Sequence, residues 1–216
     1  MLTEAVTRWS GERHSWAFTQ RVKEFDGGEI RQERVETFDP SRPENKRWAL
    51  LKVDGRAPTS DEWTAWDKRK NKKRRRDPKP LMEYFDFARA RLIRDEGATA
   101  VYDLPLRNTS AWLFPADKVE LQLAVNRRSR AIERVDARIN EPFKVALGLA
   151  RVLDFELDLV MQPVEGAVAG DPAAASPDGT MRAVVNKFGQ RVEYNWSEFR
   201  RVTPHPDNVI GVAPKA

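Results

Sequence analysis

The sequence contains no cysteine, which excludes a disulfide framework, thiolate zinc sites and a thiol nucleophile. Histidine is nearly as scarce. Only His14 and His205 are available for imidazole chemistry. No stretch approaches the roughly 18 consecutive apolar residues of a membrane-spanning helix. The opening MLTEAVTRWSGERH lacks the apolar core of a secretory signal. P-loop, GxGxxG, HExxH, EF-hand and GxSxG patterns are also missing, so no familiar nucleotide, metal or acyl-transfer motif stands in the chain.

What is present is length and patterning. The 216 residues, 40% of them apolar, suffice for one globular unit spanning 1–216. The net charge of +5 is unevenly spread. Residues 68–79 alone hold nine basic residues and one acidic, a charge of +8, so the rest of the chain sums to −3. A protein that grips nucleic acid over a whole face more often distributes its basic residues along that face.

Leu2, Val6 and Trp9 recur at helical spacing and predict a short helix over 2–9 that Gly11 would stop. The period then changes to two. Trp16, Phe18 and Val22 share a face with Gln20 between them, and Gly27-Gly28 supplies a hairpin turn. The answering GEIRQERVETF is far more polar and reads as half exposed. RWALLKVDG is a third strand, with Trp48 and Leu50 on one face and Leu51 and Val53 on the other. Pro58, Thr59 and Glu62 then announce a helix over 59–77, opened by a reciprocal Thr59/Glu62 capping box. Trp63 and Trp66 are its only large apolar residues, so its basic extension has no face to bury.

Strand patterns return from Tyr84 and recur to the C-terminus, interrupted by a small-residue linker at 166–179 and ending in a polar tail at 203–216. About nine hairpin-linked strands with one or two helices predict a mainly β (α+β) fold, a curved antiparallel sheet or half-barrel with the helices packed against it.

Three residue groups bear on function. Large side chains on the apolar face, Trp16, Phe18, Trp48, Leu50, Phe155, Leu157 and Leu159, with Trp63 and Trp66 on the helix, are candidates for contact with an apolar ligand or lipid. Plain core filling competes with that reading. The basic residues Lys68, Arg69, Lys70, Lys72, Lys73, Arg74, Arg75 and Arg76 are candidates for contact with an anionic membrane or another polyanion. A solvated helix end is the simpler account, and nucleic acid ranks lowest because no aromatics interleave the basic residues. Glu156 and Asp158 share a strand face that could hold a cation, though most such pairs are the wet side of an amphipathic strand. No nucleophile, base and oxyanion set assembles around His14, so the expectation is a non-enzymatic protein with no cofactor and no metal.

The stretch WAFTQ, FDPSRP and RWALLKVDGRAPT between Trp16 and Glu62, with EPFKVALGLARVLDF from Glu141 to Phe155, resembles an uncharacterised group of proteobacterial exported proteins. That group is similar in turn to the lipoprotein-carrier fold of the periplasmic Lol chaperone and its outer-membrane receptor (LolA/LolB-like). The resemblance implies a half-barrel with helices plugging its mouth, and a periplasmic mature chain whose signal has been removed, with a cytoplasmic protein as the alternative. It further implies an envelope binding protein carrying a lipid or acylated protein. Nucleic-acid or polyanion binding through 68–79, and an envelope scaffold using a free strand edge, are the rival expectations.

Overall fold

A computed structural model describes residues 1–12, 15–70, 81–107, 115–145, 150–163 and 175–206. Eleven strands form one antiparallel, unclosed sheet. They are β1 (Trp16–Asp26), β2 (Glu29–Phe38), β3 (Trp48–Val53), β4 (Arg91–Glu96), β5 (Thr99–Asp103), β6 (Val119–Asn126), β7 (Ile132–Ile139), β8 (Phe143–Val145), β9 (Ala150–Pro163), β10 (Ala175–Lys187) and β11 (Gln190–Arg201). Their order is β3-β2-β1-β11-β10-β9-β7-β6-β5-β4, with β8 pairing β9 beyond the end of β7. The strand following the first helix therefore joins the last strand of the chain, Gln20 opposite Trp196 and Val22 opposite Tyr194. All other neighbours in that order are hairpin or near-hairpin partners. The mainly β expectation holds, with eleven strands where patterning counted about nine.

One face of the sheet is apolar along most of its width because cross-strand partners share a face. The register lines up Leu121, Ala137, Leu157, Met181 and Trp196 in one such row. Helix α1 (Leu2–Glu12) lies on the β6–β7 end of this face. Its Leu2, Ala5 and Val6 are buried with Leu123, Val125, Val135 and Leu159 in the main core. Trp9 stacks obliquely on Trp16 at 5.9 Å. The helix continues past the expected stop at Gly11, where the backbone lies in open space and meets no obstacle. Glu4 with Arg130 at 2.6 Å, and Arg8 donating to the Ser129 carbonyl at 3.1 Å, tie it to the β6–β7 turn.

Helix α2 (Ser60–Lys70) covers the other end, where Trp66 packs on Leu50 and Val53 in a second, smaller core. The alternation read from RWALLKVDG fails here for a definable reason. Val35 pairs Lys52 but Glu36 pairs Leu50, so Leu51 is an extra, bulged residue, 48% exposed. A bulge resets the alternation, and Val53 returns to the same side as Leu50, beneath Trp66. The helix itself begins as the capping box requires: Glu62 accepts from the Thr59 amide at 2.8 Å while the Glu62 amide donates to the Thr59 hydroxyl at 3.3 Å. Residues 71–77 of the expected helix lie outside the described residues.

Two further segments differ from the pattern reading. Leu81–Tyr84 and Phe87–Arg89 form short 3-10 helices, with Phe85 between them in an isolated bridge to Leu106, and not the start of a strand. The Asp86 amide donates to the Pro105 carbonyl and the Arg107 amide to the Tyr84 carbonyl, both at 2.8 Å, which seats Phe85 in the main core. Within the expected 166–179 linker, residues 175–179 belong to β10. They pair only with β9, because the β10–β11 ladder spans Met181 to Lys187. Pro177 thus loses a ladder bond that no neighbour would have accepted. Gly179 adopts φ +140° beside the β9 backbone, where a Cβ would stand 2.1 Å from the Asp158 carbonyl oxygen. In the 203–216 tail, the His205 amide donates to the Pro40 carbonyl at 2.7 Å, and residues from 207 on lie outside the described set.

Gly179→Ala is expected to lower unfolding free energy by roughly 2 kcal/mol or more, since the new Cβ meets rigid backbone at a left-handed φ. Urea titration followed by tryptophan fluorescence measures it; a change below ~0.5 kcal/mol would contradict the close β9–β10 approach.

Candidate functional site

Between α2 and the β10–β11 hairpin the apolar face changes character. Glu36, fully buried on β2, receives hydrogen bonds from the Trp66 indole at 2.9 Å and the Gln20 amide at 3.1 Å. Lys70 Nζ lies 2.7 Å from Oε2, the oxygen that Gln20 also reaches, and Arg34 Nε lies 3.5 Å from Oε1, the oxygen that Trp66 reaches. A dry carboxylate is tolerable only when its lone pairs are met and its charge is balanced. Here two neutral donors and two cations do both. Gln20 in turn accepts from Trp196 Nε1 at 2.9 Å, so one polar chain runs from β11 through β1 and β2 into α2. Arg34 also reaches Glu24 at 2.6 Å and bonds Gln32.

This network floors a pocket of about 380 Å³. Val22, Val192 and Tyr194 give it apolar walls, and Arg69, Lys70, Lys187, Phe188, Gln190 and Glu24 surround its mouth. Its charges are four cations, Arg34, Arg69, Lys70 and Lys187, against two carboxylates, Glu24 and Glu36. Burial pushes the Tyr194 phenol above its usual range, which keeps it a neutral hydrogen-bond donor. Past the mouth, two hairpin tips lie side by side at the same end of the sheet, since Glu24 pairs Val192 just before both turns. Phe188 is 72% exposed on one tip and Ile30 50% exposed on the other.

The sequence-chosen residues divide as follows. Trp48, Leu50 and Trp66 come together in the smaller core, where Lys70 Nζ also sits 3.9 Å above the Trp48 ring. Phe18 contacts Phe38, Trp48 and Phe199 at ring separations of 5.1 to 5.8 Å. Trp16, Phe155, Leu157 and Leu159 pack in or on the main core. Trp63 joins neither cluster and is 47% exposed on α2. Of the basic set, Lys68, Arg69 and Lys70 lie on the last turn of α2, whereas Lys72, Lys73, Arg74, Arg75 and Arg76 are outside the described residues. The apolar set is therefore engaged largely with the chain's own side chains, while Arg69 and Lys70 border the pocket.

The opposite sheet face carries a larger, charged groove of about 520 Å³ that includes Glu156 and Asp158. Most of its ions are paired: Arg134 bridges Asp136 and Asp158, Arg138 pairs Glu120, and Arg94 lies 3.7 Å from Glu96. No cluster of three metal-binding side chains occurs among the described residues. Sequence patterning missed Gln20, Arg34, Glu36 and Tyr194. Gln20 was the available signal, a polar residue amid Trp16, Phe18 and Val22, because a buried amide demands partners on the neighbouring strands.

No protein-family model matches this chain, and no curated protein matches it. Among solved structures, a DUF1329 family protein from Desulfovibrio piger aligns over 92% of this chain and 90% of its own, at 8% identity and a TM-score of 0.31. MucB in complex with MucA(peri) aligns over 94% and 100%, at 12% identity and a TM-score of 0.22. Likenesses this distant transfer neither activity nor ligand.

Two outcomes follow from the α2 anchor. Trp66→Phe removes a donor from a buried charge and should cost about 1–3 kcal/mol in chemical unfolding; an unchanged midpoint would mean that Glu36 does not depend on it. Arg56 and the Thr59 amide hold Glu62 at a pKa of about 2, below the ~4.3 of an unfolded chain. That contribution is complete above about pH 4.3 and is lost as pH falls toward 2. Glu62→Gln should consequently converge with wild type in thermal stability across that acid window and be less stable above it; a pH-independent difference would contradict the assignment.

Proposed function

We propose that the chain is a non-enzymatic binding protein of the bacterial envelope that works at an anionic lipid surface, with the α2 end of the sheet facing the bilayer. One observation supports this above the others. Lys70 and Trp66 are both tied to the fully buried Glu36, so the basic run that continues in sequence from Lys70 starts from a fixed point. That point borders the same pocket as the exposed Phe188. Cations with a neighbouring exposed aromatic ring suit a membrane surface, where each basic residue contributes about 1 kcal/mol and the ring reaches the interface. Asp26 and Glu29 flank the Ile30 tip, so the attraction comes chiefly from the α2 side.

With Trp16, Phe155, Leu157 and Leu159 taken up in the main core, the reading assigns recognition to the pocket at the α2 end and not to the apolar face as a whole. Nucleic acid is the rival occupant of the same basic residues, yet no aromatic interleaves them for base stacking.

Flotation with phosphatidylcholine vesicles, with and without phosphatidylglycerol, tests the reading. Binding should require the anionic lipid and fall steeply with salt. Replacing Lys72, Lys73, Arg74 and Arg75 with Gln should weaken it roughly 100-fold or more, and Phe188→Ser about 10-fold. Equal binding to neutral vesicles, or duplex DNA displacing the vesicles at equal charge, would overturn it.

A further inference from the structure

We propose that the pocket beneath α2 binds the phosphate group of an organic phosphate that carries an apolar substituent. The inference deepens the binding reading above and rests on it for the compartment, but the site stands on its own geometry.

Arg69 and Lys187 both line the pocket, and both are exposed and in no ion pair among the described residues. The other two cations differ, since Lys70 and Arg34 are held by Glu36 and Glu24. The pocket therefore keeps an excess of two positive charges after its own carboxylates are matched. A second observation points inward. Arg34 is more than nine-tenths buried, yet its Nε makes no hydrogen bond and has only the 3.5 Å charge contact with Glu36. A buried guanidinium N–H in that condition is a donor in want of an acceptor.

The identity of the ligand follows from how the donors are arranged. Arg69 on α2, Lys187 at the end of β10 and Tyr194 on β11 all line the pocket, so three donors are offered from three separate elements. A tetrahedral phosphoryl group offers oxygens to all three, whereas a planar carboxylate offers two in one plane. Volume supplies the rest. About 380 Å³ is several times what a lone phosphate fills, and Val22, Val192 and Phe188 line the remainder with apolar surface. A lipid headgroup and a soluble phosphate ester share this chemistry.

Isothermal titration with the full chain distinguishes the sources. The probes are inorganic phosphate, dihexanoyl phosphatidic acid below its micelle concentration, and dihexanoyl phosphatidylcholine. The phosphatidic acid should bind, and the double variant Arg69→Gln, Lys187→Gln should weaken it by roughly 100-fold, about tenfold for each charged partner lost. Both side chains are exposed and unpaired, so the variant keeps its fold, which circular dichroism verifies. Tyr194→Phe should weaken binding several-fold. Tighter binding of the phosphatidic acid than of inorganic phosphate supports a source with an apolar substituent; equal binding would show that the apolar walls add nothing and would overturn that part of the proposal. Retention of wild-type affinity by the double variant, or equal binding of the zwitterionic lipid, overturns the proposal. The variant with Lys72, Lys73, Arg74 and Arg75 changed to Gln should bind the short-chain phosphatidic acid within ~2-fold of wild type. Failure of the wild-type chain to float with anionic vesicles while it binds the short-chain phosphatidic acid would sink the surface reading alone, and flotation of the wild type without that binding would sink the pocket alone.

Discussion

A carboxylate without solvent, Glu36, organises the α2 half of this protein. An ionised side chain in so dry a place is costly unless charge and hydrogen bonds are supplied together, and the suppliers come from two strands and a helix. β1 gives Gln20, β2 gives Arg34, and α2 gives Trp66 and Lys70. The interaction positions more than it stabilises. Replacement of such a group by well-packed apolar residues is often neutral, whereas a lone apolar contact such as Trp66 on Leu50 would leave the helix free to slide. With both ends of a four-residue span, Trp66 and Lys70, bound to one residue, α2 has a fixed rotation and a fixed translation on the sheet.

That constraint sets the chemistry of everything around it. Because Lys70 and Arg34 are committed to Glu36 and Glu24, the unpaired cations at the pocket mouth are Arg69 and Lys187. Because α2 is pinned through its C-terminal half, its exposed residues fall where the hairpin tips project. The two cores divide the labour accordingly. The main core under α1 is large, and its buried members are aliphatic apart from Phe85; it holds the sheet together. The smaller core has only Leu50, Val53 and Trp66 with Trp48 against it, and beside it lies the polar network.

The period-two pattern made the fold class, most of the strands and the helix cap legible in the sequence, since burial of one sheet face writes itself into alternate residues. Thr59 and Glu62 were readable because a capping box is local. The bulge at Leu51 was not, because it depends on the partner strand's register. The membership of residues 175–179 in β10 was hidden for a related reason: Pro177 and Gly179 signal a linker until one knows that the β10–β11 ladder ends at Met181 while β9 goes on pairing with β10. The site was the least legible part. Glu36 and Arg34 sit in a strand whose polarity suggested exposure, and only the arrival of α2 from thirty residues downstream turns that polar face into an interior. The basic run advertised itself, but its two structurally placed members at the pocket, Arg69 and Lys70, have different duties that charge counting does not separate.

The pairing of β1 with β11 has a bearing on how the molecule comes into being. Residues near position 20 must wait for residues near position 196 before their ladder can close, and Gln20, the link between Trp196 and Glu36, waits with them. Closing so long a loop is slow relative to hairpin formation. On a ribosome, β1 to β3 emerge as a three-stranded piece whose β1 edge is bare, and that edge stays bare until residues 192–201 have been added. Late closure of this kind prolongs the interval in which the nascent chain is still threadable through a narrow channel.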